Sequence, residues 1–176
     1  MFGPIGRTAT MNTLPLDWRA APLHSLLRGR PLLRPEHVLL HAPVYDLREA
    51  FDTIGRMAQA PRGPSAEVLS DRLMRREAQR CTLAADGIAL PHAQVPGLRS
   101  PVAAFLRPAE PLRLAEASAA PVHDMLALLV PKPAAVPHFE LLDRLLRLLR
   151  EPMLQRELAR CSTAIHVCQL FATLST

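Results

Sequence analysis

Short apolar runs ended by prolines alternate along this chain with stretches where apolar residues recur every three or four positions. Met125-Leu126-Ala127-Leu128-Leu129-Val130 is apolar without a break and stops at Pro131, the pattern of a strand covered on both faces. Ile88-Ala89-Leu90, stopped by Pro91, and residues 102–106 are shorter runs of the same kind. Val38-Leu39-Leu40 is a further strand candidate, and a weak one lies around Leu112 to Leu114. The helical pattern begins after Asp46, whose carboxylate can accept a free backbone amide. Leu47, Ala50, Phe51, Ile54, Met57 and Ala58 mark its inner face, and Pro61-Arg62-Gly63-Pro64 closes it. Ser65 caps a second helix with Val68, Leu69 and Leu73 inward and Arg72, Arg75 and Arg76 outward. A connection runs from Arg76 to Asp86, and residues 94–100 read as a loop. His138 opens the strongest helix, with Phe139, Leu142, Leu145, Leu146 and Leu149 on its main face and Leu141 and Leu148 broadening it. Pro152 suits the first turn of a short helix, where its missing donor costs nothing. Ser162 caps a last helix that buries Ile165, Cys168 and Phe171.

Helices on both faces of a mixed central sheet of about five strands make a single-domain layered α/β sandwich. Gly3, Pro4, Gly6, Pro15, Pro22 and Gly29 interrupt every pattern in residues 1–30, which read as a poorly ordered arm with Leu23, Leu26 and Leu27 offering one helical turn. The domain proper is residues 31–176. Its core must be built mainly of leucine and alanine, since aromatics are only 4% of the 176 residues.

The net charge of +5 invites a nucleic-acid reading, but its distribution does not support one. Residues 1–35 hold five arginines against Asp17, and the remaining sixteen basic and fifteen acidic residues nearly cancel. No basic stripe interleaved with aromatics appears, so no nucleic-acid partner is expected. No apolar run approaches the roughly 18 residues a membrane span needs, and no charged-then-apolar leader opens the chain. A cytoplasmic protein without membrane insertion is the expectation. Cys81, Cys161 and Cys168 form no CxxC pair and read as small buried hydrophobes. Asp124, Glu140 and Asp143 with His123 and His138 match no metal-ligand spacing, so neither a metal nor another cofactor is expected.

His92 and His138 are the candidate chemical residues. Each follows a proline, where a strand or loop hands over to the next element. Imidazole is partly neutral and nucleophilic near pH 7. With seven histidines in the chain, an ordinary surface position is the simpler reading of any one, and the residues alone leave the choice open for His92. Arg76 likewise reads as a solvated helix arginine, and His138 as a helix cap.

Gly87-Ile88-Ala89-Leu90-Pro91-His92-Ala93 resembles the phosphorylation-site motif of the fructose/mannitol-type enzyme IIA domains of the bacterial phosphotransferase system. Arg76-Glu77 and Thr82 match family residues before the motif, the apolar run ending at Val130-Pro131 resembles the family's second core strand, and His138-Phe139 matches its second histidine. The similarity runs from about residue 35 to the C-terminus and is strongest to the nitrogen-regulatory branch, enzyme IIA-Ntr. The resemblance implies that His92 accepts a phosphoryl group from a histidine phosphocarrier protein, with His138, Arg76 and Thr82 supporting. It implies regulated protein targets rather than a cofactor. Such chemistry needs positioning and charge neutralisation around the phosphoryl oxygens.

The chain departs from the family before the motif. Leu83 and Ala85 stand where glycines are usual, and Asp86 stands for an asparagine; His123 also replaces a residue that is usually acidic. These substitutions motivate an alternative, a binding module of the same fold that no longer takes phosphate. A sugar-transport IIA component is a third reading.

Overall fold

A mixed, open sheet of six strands and five helices form one α/β domain in the computed structural model, which describes residues 27, 29–114 and 120–173. Residues 1–26 and 28 of the proposed N-terminal arm, with Leu23 and Leu26 of its turn, lie outside the described residues. A 3-10 turn, Pro35–His37, leads into β1 (Val38–Ala42), followed by α1 (Leu47–Ala58) and α2 (Ala66–Gln79). Three short strands follow, β2 (Leu83–Ala85), β3 (Ile88–Ala89) and β4 (His92–Val95). Then come β5 (Val102–Pro108), β6 (Asp124–Pro131), α3 (Val136–Leu149), α4 (Pro152–Arg160) and α5 (Ala164–Thr173). No described helix is long and apolar enough to cross a membrane.

The unbroken apolar run became the centre of the sheet. β6 pairs antiparallel with β5 on one side and parallel with both β3 and β4 on the other. β1 lies parallel beside β5, and β2 lies antiparallel beside β3. Side chains alternate across a strand, so β6 supplies two cores at once. Met125, Ala127 and Leu129 pack with Phe51, Ile54, Leu69 and Leu73 of α1 and α2. Leu126, Leu128 and Val130 pack with Leu141, Leu145 and Leu149 of α3, and with Leu158 and Phe171 beyond it. That two-sided burial is why the run carries no polar residue.

Local capping follows the sequence closely. Asp46 Oδ1 accepts from the Glu49 amide at 2.8 Å, and Ser65 Oγ from the Val68 amide at 3.4 Å. Pro152 occupies the first turn of α4. Other expectations are corrected. Val68, Phe139 and Ile165 are exposed rather than inward, because α2, α3 and α5 turn neighbouring leucines and valines to the sheet. Thr163, not Ser162, caps α5, accepting from the His166 amide at 3.2 Å. Cys81 is exposed. The weak strand near Leu112 is a single bridge to Val122.

Pro91 interrupts a strand without ending it. The chain resumes pairing with β6 at His92, so residues 92–95 are strand where a loop was expected from 94 onward. The Pro91 carbonyl still accepts from Leu128 at 2.8 Å, which keeps the two segments in line along one edge of β6.

The connection before the motif is also more ordered than its composition indicates. Leu83–Ala85 folds back on Ile88–Ala89 as a hairpin whose turn is Asp86-Gly87. Only Gly87 there takes positive φ, at +69°, and a Cβ on it would meet the His123 ring at about 2.2 Å. Leu83 and Ala85 lie in strand, where a side chain carries no conformational penalty. The exposed Asp86 carries its charge at the surface.

One buried ion pair ties the sheet to the C-terminal helices. Arg107 of β5 donates Nε to Asp124 Oδ1 at 2.7 Å and Nη2 to Oδ2 at 3.1 Å. Its remaining donors reach the carbonyls of Leu158 and Cys161 at the end of α4, at 2.9 and 2.8 Å. A guanidinium at a helix C-terminus satisfies free carbonyls and opposes the helix dipole.

Candidate functional site

His92 begins β4 at the break that Pro91 makes, half-buried, with the end of α2 packed against its strand. Both ring nitrogens are engaged. Nδ1 lies 2.9 Å from the Leu90 carbonyl oxygen. A carbonyl only accepts, so Nδ1 carries the proton and Nε2 holds the lone pair. Arg76 Nη2 donates to that lone pair at 3.0 Å. Arg76 Nη1 donates at 2.9 Å to the Arg80 carbonyl, which anchors the guanidinium from its other side.

The surroundings favour the neutral ring. Burial pushes the His92 pKa below its ordinary 6.5 and Arg76 pushes the same way, while the Leu90 carbonyl and Glu77 oppose them. Nε2 is therefore an unprotonated, half-buried nucleophile with a cation beside it, the combination a phosphoryl acceptor requires.

Behind this pair stands a buried carboxylate. Glu77 Oε1 accepts from the Thr82 amide at 3.0 Å, and Oε2 accepts from the Thr82 hydroxyl. The Thr82 carbonyl in turn accepts from the Leu90 amide at 2.9 Å. Leu90 thus joins the two halves, bound through its amide to Thr82 and through its carbonyl to His92. Thr82 acts in this frame as a brace, with its hydroxyl committed to Glu77. Thr82→Val will leave a buried carboxylate oxygen without its donor and destabilise the fold by about 2 kcal/mol. Urea unfolding measures it, and a loss below about 0.5 kcal/mol would remove the brace from the account.

His138 lies in the first turn of α3, half-buried, where Nδ1 accepts from the Ala135 amide at 3.0 Å. Its Nε2 is then the protonated nitrogen and a donor. No hydrogen bond joins His138 to His92. The structure thus brings Arg76, Glu77, Thr82 and Leu90 together around His92, and ties His138 to its own helix start. Leu90 is invisible to side-chain reasoning because it acts through its backbone. Glu77 was visible only as half of the Arg76-Glu77 pair. Among the described residues no group of three or more His, Cys, Asp or Glu is placed to hold a metal ion.

The family model for the phosphoenolpyruvate-dependent sugar phosphotransferase system, EIIA 2, matches residues 31–173. The chain belongs to this family. It is 27% identical over 146 residues to a nitrogen regulatory protein of Pseudomonas aeruginosa, covering 82% of this chain and 95% of that one. It is 28% identical over 127 residues to a nitrogen regulatory protein of Bradyrhizobium diazoefficiens, covering 72% and 83%. Among solved structures, nitrogen regulatory protein IIA-Ntr from Neisseria meningitidis superposes with a TM-score of 0.74 at 26% identity, over 80% of this chain and 96% of that one. IIA mannitol from Escherichia coli shares the fold, with a TM-score of 0.63 at 18% identity over 79% and 98%. Within the EIIA 2 family, the nitrogen-regulatory proteins are thus similar to this chain in both sequence and fold.

Proposed function

We propose that this EIIA 2 protein is a phosphocarrier of the nitrogen-regulatory type, taking a phosphoryl group on Nε2 of His92 from a histidine phosphocarrier protein. The observation that carries the reading is the fixed tautomer, with Nδ1–H held by the Leu90 carbonyl and the Nε2 lone pair facing Arg76. In the transfer a bond forms between Nε2 and phosphorus while the phosphorus–nitrogen bond of the donor breaks, its electron pair leaving on the donor imidazole. His92 Nδ1 keeps its proton throughout. The Leu90 carbonyl supports the positive ring that results, so the new bond stays labile and the phosphoryl can leave again.

Arg76 serves both states. In the resting protein it covers the lone pair; as phosphate arrives, its Nη2 turns to the phosphoryl oxygens while Nη1 stays on the Arg80 carbonyl. Charge-assisted bonds of this kind are about twice as strong as neutral ones. His138, with Nε2–H free to donate, is the further donor that family membership suggests. Phosphorylation adds about two negative charges at a sheet edge, enough to change which protein surface is accepted. Signalling fits the relatives that bear the name nitrogen regulatory protein. The hairpin at Asp86-Gly87 weakens the case for a phosphorylation-deficient module, since its backbone needs no glycine at 83 or 85.

Incubation with phosphoenolpyruvate, enzyme I and a histidine phosphocarrier protein tests the reading. Intact mass is expected to rise by one phosphoryl that is lost in acid; no adduct with an active donor would overturn it. The pH dependence adds a second check. Because burial and Arg76 hold the folded pKa of His92 below the ordinary 6.5, the loss of uptake on acidification should be centred below that value, as the ring protonates. A decline centred above 6.5 would mean that burial and Arg76 do not govern the ring.

A further inference from the structure

A cleft among the described residues takes no part in the proposed phosphotransfer. It has a volume of about 330 Å³ and lies between the segment before β1 and the middle of the sheet. That size suits a small molecule. Its polar lining is Arg30, Arg34, His37 and Ser100, and Leu32 and Leu128 contribute apolar floor.

The polar groups are organised. His37 is buried, and Arg34 Nη2 donates to its Nε2 at 3.1 Å. The ring therefore orients the Arg34 guanidinium, much as His92 engages Arg76. Arg30 Nη1 donates to Ser100 Oγ at 3.3 Å, placing a second guanidinium at the same wall. One carboxylate opposes them, since Glu36 Oε1 lies 3.2 Å from Arg34 Nη1, with both side chains more than half exposed. Glu36 is not part of the lining, and two guanidiniums against one neighbouring carboxylate leave the cleft net positive.

Its position relative to His92 follows from the register. His92 pairs with Leu128, and Leu128 with Ala103. Residues paired in register show their side chains on one face, so Leu128 stands between His92 and the cleft. Two strand spacings are about 10 Å.

We propose that this cleft binds a small organic anion, a carboxylate or phosphate monoester on an apolar body of a few carbons. The anionic group sits on Arg30, Arg34 and Ser100, and the body lies against Leu32 and Leu128. Neither half suffices alone: two guanidiniums without the floor would hold any anion, and the floor without them would hold nothing charged. Nothing in this binding uses the His92 lone pair, so it stands whether or not His92 takes phosphate.

The test is a nuclear magnetic resonance titration of the full, unphosphorylated chain with pentanoate, butyl phosphate, inorganic phosphate and butanol in turn. Pentanoate or butyl phosphate should shift the signals of Leu32, Ala103 and Leu128 to saturation, and the stronger of the two identifies the head group. Inorganic phosphate and butanol should bind at least about tenfold more weakly, because each lacks one half of the recognition. The Arg30→Gln/Arg34→Gln double variant should lose at least about tenfold in affinity, as removal of charge-assisted bonds predicts. Both arginines are exposed, and circular dichroism verifies that the variant keeps its fold without the Arg34 donor to His37. His92→Ala should leave the titration unchanged. The proposal falls if no probe saturates, if the arginine variant binds as well as the parent, or if His92→Ala abolishes the shifts and so moves the anion to His92.

Discussion

His92→Ala will take up no phosphoryl group from a competent donor, while its fold and unfolding midpoint stay close to those of the parent. In the proposed transfer the chemical loss is complete because Nε2 is the atom assigned the bond to phosphorus, and no neighbouring side chain can replace it. Arg76 is a cation, Glu77 is buried under Thr82, and His138 is tied to its own helix start. Structural loss is small because His92 is half-buried and contributes one backbone bond and one arginine contact. Intact mass under acid and neutral conditions reads the uptake, and circular dichroism reads the fold. His138→Ala supplies the contrast: it removes a donor and not the nucleophile, so uptake slows but still reaches one phosphoryl per chain. An acid-labile adduct persisting in His92→Ala would move the acceptor elsewhere.

Asp124→Ala will destabilise the protein by about 3–5 kcal/mol, the cost of leaving a buried charge without its partner. Asp124 is almost fully buried and holds Arg107 through both oxygens. For a chain of this size that loss lowers the thermal midpoint by about 10 °C. Arg107→Met will cost a similar amount, since it strands the Asp124 carboxylate and also frees the carbonyls of Leu158 and Cys161. The double variant Arg107→Met/Asp124→Leu separates the causes. Removing both charges relieves the unpaired ion but not the two carbonyls, so it should recover part of the loss and not all of it. Losses below about 1 kcal/mol for either single variant would show that water reaches the pair. Thermal or urea unfolding decides.

The reach of sequence reasoning here depends on the range of the interaction. Asp46 and Ser65 were readable as caps because the groups they bind lie three residues away. The same holds for Pro152, whose effect is confined to its own backbone nitrogen. β6 was readable because burial on both faces removes every polar residue from the run, whatever packs against it. His92 was marked by the motif around it, and that motif's resemblance to the EIIA 2 family singled it out where spacing alone left the choice open.

What the tertiary structure decided was which faces are covered and which backbone groups meet. Phe139 and Ile165 carry apolar side chains at helical spacing, yet the rotation of α3 and α5 against the sheet leaves both exposed. Pro91 read as a strand end because it lacks a donor, but β6 offers partners beyond it and pairing resumes at His92. Thr82 was named only as a supporting residue, and the fold shows its hydroxyl donating to Glu77, a contact that residue type alone does not announce. The Leu90 carbonyl, which sets the tautomer of His92, belongs to a backbone that every residue shares, so no residue type announces it. Arg107 and Asp124 are seventeen positions apart and meet only because β5 and β6 pair antiparallel. Sequence by itself determined the helices and the core strand and singled out His92 as the candidate histidine, because these rest on local pattern and residue chemistry. Orientation, the proton's place on the ring and the buried charge pair required the folded chain, because each depends on groups brought together from distant positions.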